Sequence, residues 1–145
     1  MNRYFDIALN LASDRFSGER DKVIADALTR NVNYFNIVCS SLNELDFVKD
    51  LNDRYGQNSC FTLGVHPHNA NELNGNTLKS LKDYIKIHQP SAVGETGLDF
   101  FRNLSSYENQ INAFEQQIII SIENNLPLFL HQREAHDDFI KVIDK

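Results

Sequence analysis

"AVGETGLDFF", residues 92–101, is the stretch on which the reading of this chain turns. Ala92 and Val93 look like buried strand, and then Glu95 stands between Gly94 and Gly97 where an apolar run should simply turn. A carboxylate among small residues marks a crowded place, because burying its charge is costly unless a partner offsets it. "LPLFLHQREAH", residues 126–136, repeats the pattern with an apolar run that stops at His131. Two strand-like runs, each finishing in a residue type that ligates metals, point to one shared divalent-cation site. From the residues alone the plainer alternatives stay open: Glu95 as an exposed turn residue, His131 as a histidine hydrogen-bonded at a strand end.

Around these two runs the chain alternates. Strand-length apolar segments, "YFDIALN", "NVNYFNIVC", "CFTLGVHPH", "SAVGET" and "LPLFLH", are each followed by a stretch with helical spacing. The helical stripes are Val23, Ala27 and Leu28; Leu42, Leu45, Val48 and Leu51; Leu78, Leu81 and Ile85; Ile111, Phe114, Ile118 and Ile122; and Phe139, Val142 and Ile143. Ser41 with Glu44, and Ser105 with Glu108, have capping-box spacing. Strands alternating with helices predict βαβ units and a parallel sheet. The strands read as continuous apolar runs, which predicts cover on both faces. Five units fit either a complete doubly wound sheet or part of a (β/α)₈ barrel. The unclosed apolar stripe after Phe139 favours the barrel, and no glycine-rich phosphate loop follows the first strand.

The composition, 41% hydrophobic and 23% charged over 145 residues, is that of one globular domain rather than a disordered chain. No run approaches the ~18 apolar residues of a membrane span, and Asp6 and Asn10 interrupt the first apolar patch, unlike a secretory signal. Cys39 and Cys60 are expected as buried thiols in a reducing cytoplasm rather than as a disulfide. A net charge of −6 argues against a broad basic nucleic-acid face. It leaves room for a cleft in which a metal and a few cationic side chains neutralise phosphates.

"GVHPH", residues 64–68, sets His66 and His68 around a stiffening Pro67 at a strand end. Metal ligation, phosphate contact and loop capping are all open to them. Arg133 can offer its planar fork to a phosphate or pair with Glu134 or Asp137. Asp99 and Arg102 can meet substrate or pin the loop by a salt bridge, and the salt bridge is the expectation. His88 and His136 read as surface or capping residues. No Gly-x-Ser-x-Gly elbow supports a serine hydrolase.

Taken together, "GVHPH", "AVGETGLDFFRN" and "LPLFLHQREAH", in this order and at these intervals, resemble the TatD family of metal-dependent deoxyribonucleases, within the amidohydrolase-like barrel superfamily. "FDIALNLASDRF" and "SSYENQINAFEQQIIIS" fit as well. The resemblance implies a TIM-type (β/α) barrel with a metal site at its C-terminal rim and hydrolysis of DNA phosphodiester bonds, with exonuclease action in the family. Glu95 and His131 match the family's metal ligands, and His66 and His68 its histidine loop near the substrate; Arg133 is taken as a further substrate contact. The implied cofactor is a divalent cation, Mg²⁺ or Mn²⁺, and the implied partner is DNA; no membrane association is expected. No residue is assigned to proton transfer.

Two departures qualify this. Ala8 and Asn10 stand where many members carry a His-x-His pair, which weakens a two-metal site. The family's later metal histidine and aspartate have no counterpart, so residues 1–145 are expected to form one domain, the N-terminal part of an incomplete barrel of about five βα units. Weak metal binding and little turnover follow. The competing readings are a related barrel hydrolase acting on a small amide or ester, and a truncated product without enzymatic activity.

Overall fold

A computed structural model describes residues 2–145. Five strands form one sheet: β1 (Tyr4–Leu9), β2 (Val32–Ile37), β3 (Ser59–Leu63), β4 (Ala92–Asp99) and β5 (Leu128–Arg133). Their spatial order is the chain order, and every neighbouring pair is parallel. A doubly wound sheet reverses its strand order at a switch point. This sheet never reverses, so the unit simply repeats and the sheet curls as an incomplete TIM-type (β/α) barrel. The intervening helices are α1 (Arg20–Thr29), α2 (Leu45–Tyr55), α3 (Gly75–His88), α4 (Tyr107–Asn124) and α5 (His136–Ile143).

The helices bury their stripes against the sheet. Val48 and Leu51 of α2, Leu81 and Ile85 of α3, and Ala113 and Ile120 of α4 share one core with Phe35, Ile37, Leu63 and Val93 of the strands. In α1 the anchor is Ile24 rather than the expected Val23–Ala27–Leu28 stripe, and Leu28 is exposed. A smaller cluster joins Leu98 to Phe114, Ala135 and Val142, with Phe114 and Phe139 stacked at 5.0 Å.

The expected cover on both sheet faces holds for the middle of the sheet only. Tyr4, Phe5 and Ile7 of β1 are 56%, 52% and 59% exposed, because β1 has a ladder on one side alone and little packed over it. Neither predicted capping box forms. Glu44 turns back to Ser40, accepting from its N–H and its hydroxyl. Ser106, not Ser105, caps α4, while the Ser105 hydroxyl donates to the His68 carbonyl.

The largest departure from periodicity lies on α4. Ile122 of the predicted stripe is 74% exposed, whereas Gln110 and Gln117 are buried. Each meets backbone groups beyond the reach of the β3–β4 ladder, which pairs Thr62 with Ala92 and Leu63 with Val93. The Gln117 Oε1 accepts the Val65 N–H at 2.8 Å, and its Nε2 donates to the Val65 and Ala113 carbonyls. Gln110 does the same for Asp99, accepting its N–H at 2.8 Å and donating to its carbonyl. Buried backbone groups must be paired, so these amides replace the missing strand partners.

Two outcomes follow. Gln117→Leu leaves the Val65 N–H and carbonyl buried and unpaired, and is expected to cost about 2–3 kcal/mol in urea unfolding. Both cysteines are free, and burial pushes the Cys39 thiol up to about 12 while Cys60 is only half-buried. A raised thiol pKa means less thiolate at any given pH. Alkylation near pH ~8 is expected to label Cys60 alone in the native protein, and Cys39 only after denaturation, as read by mass spectrometry.

Candidate metal and substrate site

The strand carrying Glu95 does not end there. β4 runs on to Asp99, and β5 runs past His131 to Arg133. The two strands pair Gly94 with Phe129 and Thr96 with Leu130, which leaves Glu95 as the extra residue of a bulge. A bulge frees a residue from the ladder and re-aims its side chain. The Glu95 N–H is satisfied outside that ladder by the Cys39 carbonyl at 3.0 Å.

Side chains of a strand alternate between faces, so Glu95, Gly97 and Asp99 share one face and Leu98 packs behind it in the apolar cluster. Gly97 pairs with His131. A Cβ on Gly97 would lie 1.9 Å from the His131 carbonyl oxygen, and the glycine's φ of +143° is one that other residues rarely adopt. The glycine therefore lets the His131 backbone close onto β4, and the imidazole settles between the two carboxylates. Its Nδ1 is 3.0 Å from Glu95 Oε1 and its Nε2 is 3.1 Å from Asp99 Oδ2. These contacts, led by the one to Glu95, raise the His131 pKa against the opposing effect of burial.

The histidine loop arrives from β3. His66 follows the strand end and caps a short 3₁₀ turn, Pro67–Glu72, with its Nδ1 accepting the His68 N–H at 3.1 Å. The His66 Nε2 thereby faces inward, 3.2 Å from His131 Nδ1 and 3.6 Å from Glu95 Oε1. Burial lowers the His66 pKa to about 4, against the pull of Glu95. His68 reaches Asp99 Oδ2 at 2.7 Å and stays partly exposed.

Asp99 is the residue whose role the sequence reading missed. It is fully buried, and no salt bridge to Arg102 forms; instead its Oδ1 accepts the Arg102 backbone N–H at 2.8 Å. Burial opposes its charge, but that N–H and the two histidines outweigh burial and hold the carboxyl at about 2. Strand pairing is the signal that locates it: Asp99 lies two residues beyond Gly97 on the face that His131 occupies. Arg133 pairs with neither Glu134 nor Asp137, and its guanidinium lies over the Phe101 ring at 3.8 Å. Asn10 lines an open cavity of about 570 Å³ with Ser13, Asp14 and Asn43, away from the histidines. His88 lies tilted against Tyr84 at 4.2 Å between ring centroids and His136 opens α5, both outside the cluster.

The donor set fits a divalent cation. His66, Glu95 and His131 each offer a ligand atom, all within 4.8 Å of one another. The triangle of His66 Nε2, His131 Nδ1 and Glu95 Oε1 has sides of 3.2, 3.0 and 3.6 Å. Neighbouring ligands on one ion with bonds of about 2.1 Å are separated by roughly 3.0–3.4 Å. Within the trio His66 is the odd member. A neutral ring whose Nδ1 accepts a hydrogen bond carries its proton on Nε2, so His66 points a donor inward. His131 has the opposite arrangement, with Nε2 toward Asp99 and Nδ1 toward Glu95 and His66; in the tautomer protonated on Nε2, Nδ1 is the nitrogen that would ligate, in the carboxylate–histidine–metal pattern.

The family model described as TatD related DNase matches residues 5–145. A relative from Erwinia tasmaniensis, named 3'-5' ssDNA/RNA exonuclease TatD, is 40% identical over 96% of this chain and 54% of its own length. The Escherichia coli K12 protein of the same name is 37% identical over 97% of this chain and 54% of its own. This chain thus spans about half the length of the curated relatives it matches. Among solved structures, an uncharacterized amidohydrolase from Saccharomyces cerevisiae superposes with a TM-score of 0.89 at 29% identity, over 98% of this chain and 51% of that one. A TatD family hydrolase from Entamoeba histolytica superposes with a TM-score of 0.89 at 25% identity, over 99% and 54%.

The packing of Gly97 sets a measurable expectation. Gly97→Ala drives a methyl into the His131 carbonyl and is expected to cost more than about 3 kcal/mol in thermal or urea unfolding. Gly75→Ala, where an added Cβ meets nothing within 4 Å, is the control and should stay within about 0.5 kcal/mol of wild type.

Proposed function

The chain belongs to the TatD related DNase family, and from that premise we propose that its cluster serves metal-dependent hydrolysis of DNA phosphodiester bonds, of the exonuclease kind. In this reading residues 1–145 are one domain, the N-terminal five βα units of a TatD-type barrel, and the protein works in the cytoplasm, where its two free thiols suit a reducing environment. The observation that carries the proposal is the His131 ring held between Glu95 and Asp99 beside two further histidines.

Glu95 and His131 are the residues that would hold the cation. A carboxylate oxygen in the set suits Mg²⁺ or Mn²⁺, which favour hard ligands. When bound, such an ion polarises a phosphoryl oxygen and lowers the pKa of a water ligand. The chain's own residues do the positioning. Asp99 Oδ2, 3.1 Å from His131 Nε2, favours the tautomer with the proton on that nitrogen and so would keep Nδ1 turned toward Glu95. His66 presents its inward N–H, and His68 its partly exposed ring, toward substrate. Arg133 keeps the edge of its guanidinium available to a phosphate oxygen while the plane rests on Phe101. The relatives' names carry a phosphodiester substrate, and no feature of the cluster favours the amide or ester reading over it.

Calorimetric titration with Mn²⁺ tests the assignment. Two protein ligands hold an ion weakly, so a Kd of roughly 10⁻⁴–10⁻³ M is expected. Glu95→Gln and His131→Ala should abolish the binding heat, and Asp99→Asn should weaken affinity about 10- to 100-fold. Cation-dependent hydrolysis of bis(p-nitrophenyl) phosphate should be slow and lost in Glu95→Gln. Unchanged binding in His131→Ala would remove that residue from the site.

A further inference from the structure

Two adjacent phenylalanines after β4 have opposite fates. Phe100 turns inward, packs on Tyr107 at 5.1 Å and joins the cluster around Leu98. Phe101 turns outward and is 52% exposed, with the Arg133 guanidinium 3.8 Å above its ring. Exposure alone is ordinary for a surface aromatic; what sets Phe101 apart is the guanidinium fixed over its ring beside the histidine cluster.

The loop that presents Phe101 is built rigidly onto the site. The Phe100 N–H donates to the Arg133 carbonyl at 3.0 Å, which ties the loop to β5. The Asp99 carboxylate holds the Arg102 N–H with Oδ1 and both His68 and His131 with Oδ2. One buried side chain thus sets both the position of the His131 ring and the turn that exposes Phe101. In register, Asp99 pairs with Arg133 one dipeptide beyond the Gly97–His131 pair. Two residues of strand advance about 6–7 Å, so the platform stands about one nucleotide's reach beyond the cluster, on the solvent side.

We propose that the Phe101–Arg133 stack is a nucleobase platform: the open face of Phe101 takes one unpaired base of a single-stranded polynucleotide while the Arg133 edge meets its phosphate. The proposal rests on the nuclease reading and deepens it, since it names what distinguishes substrates at the cluster. An aromatic face beside a guanidinium stacks any base without reading its sequence. A base inside a duplex is already stacked on both sides and has no free face to offer. The platform therefore selects for single strands by what it can stack, and the chain needs no broad basic surface to bind them, in keeping with its net charge of −6.

The test is fluorescence anisotropy in EDTA, which prevents turnover, with a labelled short oligothymidylate, the abasic phosphodiester of the same length, and a duplex. Wild type is expected to bind the oligothymidylate about tenfold more tightly than the abasic strand, as befits one base–aromatic stack, and to bind the duplex no better than the abasic strand. Phe101→Leu keeps an apolar side chain at this exposed position and should abolish the difference; Phe101→Trp should preserve it. Equal affinity of wild type for the oligothymidylate and the abasic strand, no affinity for either, or a difference that survives in Phe101→Leu would each overturn the platform. The Mn²⁺ titration contains no nucleobase, so a failed cation site and a failed platform give separate results.

Discussion

The His131 ring can lie between two carboxylates only because the residue between those carboxylates on the same strand face has no side chain. Glu95, Gly97 and Asp99 are spaced so that the ends of the triplet reach around the ring and its centre yields to the neighbouring backbone. The same close approach joins β4 to β5 and places Leu98 in the apolar cluster behind them. Fold and site are thus served by one contact. Gly94 works alongside it: a Cβ there would lie 2.3 Å from the Phe129 carbonyl oxygen.

Much of this was legible in the chain. The alternation of apolar runs with helical stripes named the five units, and the residues that break the runs, His66, Glu95 and His131, are the ones that meet. A polar residue inside an apolar run need not be a boundary. Glu95 seemed to end its strand, yet the strand continues through it as a bulge and ends at Asp99. A bulge is a two-chain property and leaves no mark on period-2 spacing. In the sequence Asp99 reads as a substrate contact or a loop salt-bridge partner, because its real partners, His68 and His131, are 31 and 32 residues away.

The misread stripe of α4 has a similar origin. Hydropathy treats Gln110 and Gln117 as outward-facing, and they point inward because strand ends need hydrogen-bond partners that apolar side chains cannot provide. Both serve strands that carry the site: Gln117 closes the chain just before His66, and Gln110 grips the backbone of Asp99. Among the buried polar side chains, His66, Asp99, Ser105, Gln110 and Gln117 lie at or beside the site, while Asn36, Ser41 and Ser121 serve other parts of the fold. Charge is organised in the same local way, with the buried Asp99 surrounded by three donors while the molecule as a whole is acidic.

The exposure of β1 gives the sheet a gradient. Tyr4, Phe5 and Ile7 contribute little buried area, and one ladder holds their strand, whereas β4 is laddered on both sides and covered by α4. Local opening draws on the elements with the fewest buried contacts. Amide protons of the first strand are therefore expected to exchange through openings that leave β3 and β4 intact, whereas β5, the other edge strand and one without a fully buried residue, brings His131 to the cluster from the looser side of the sheet.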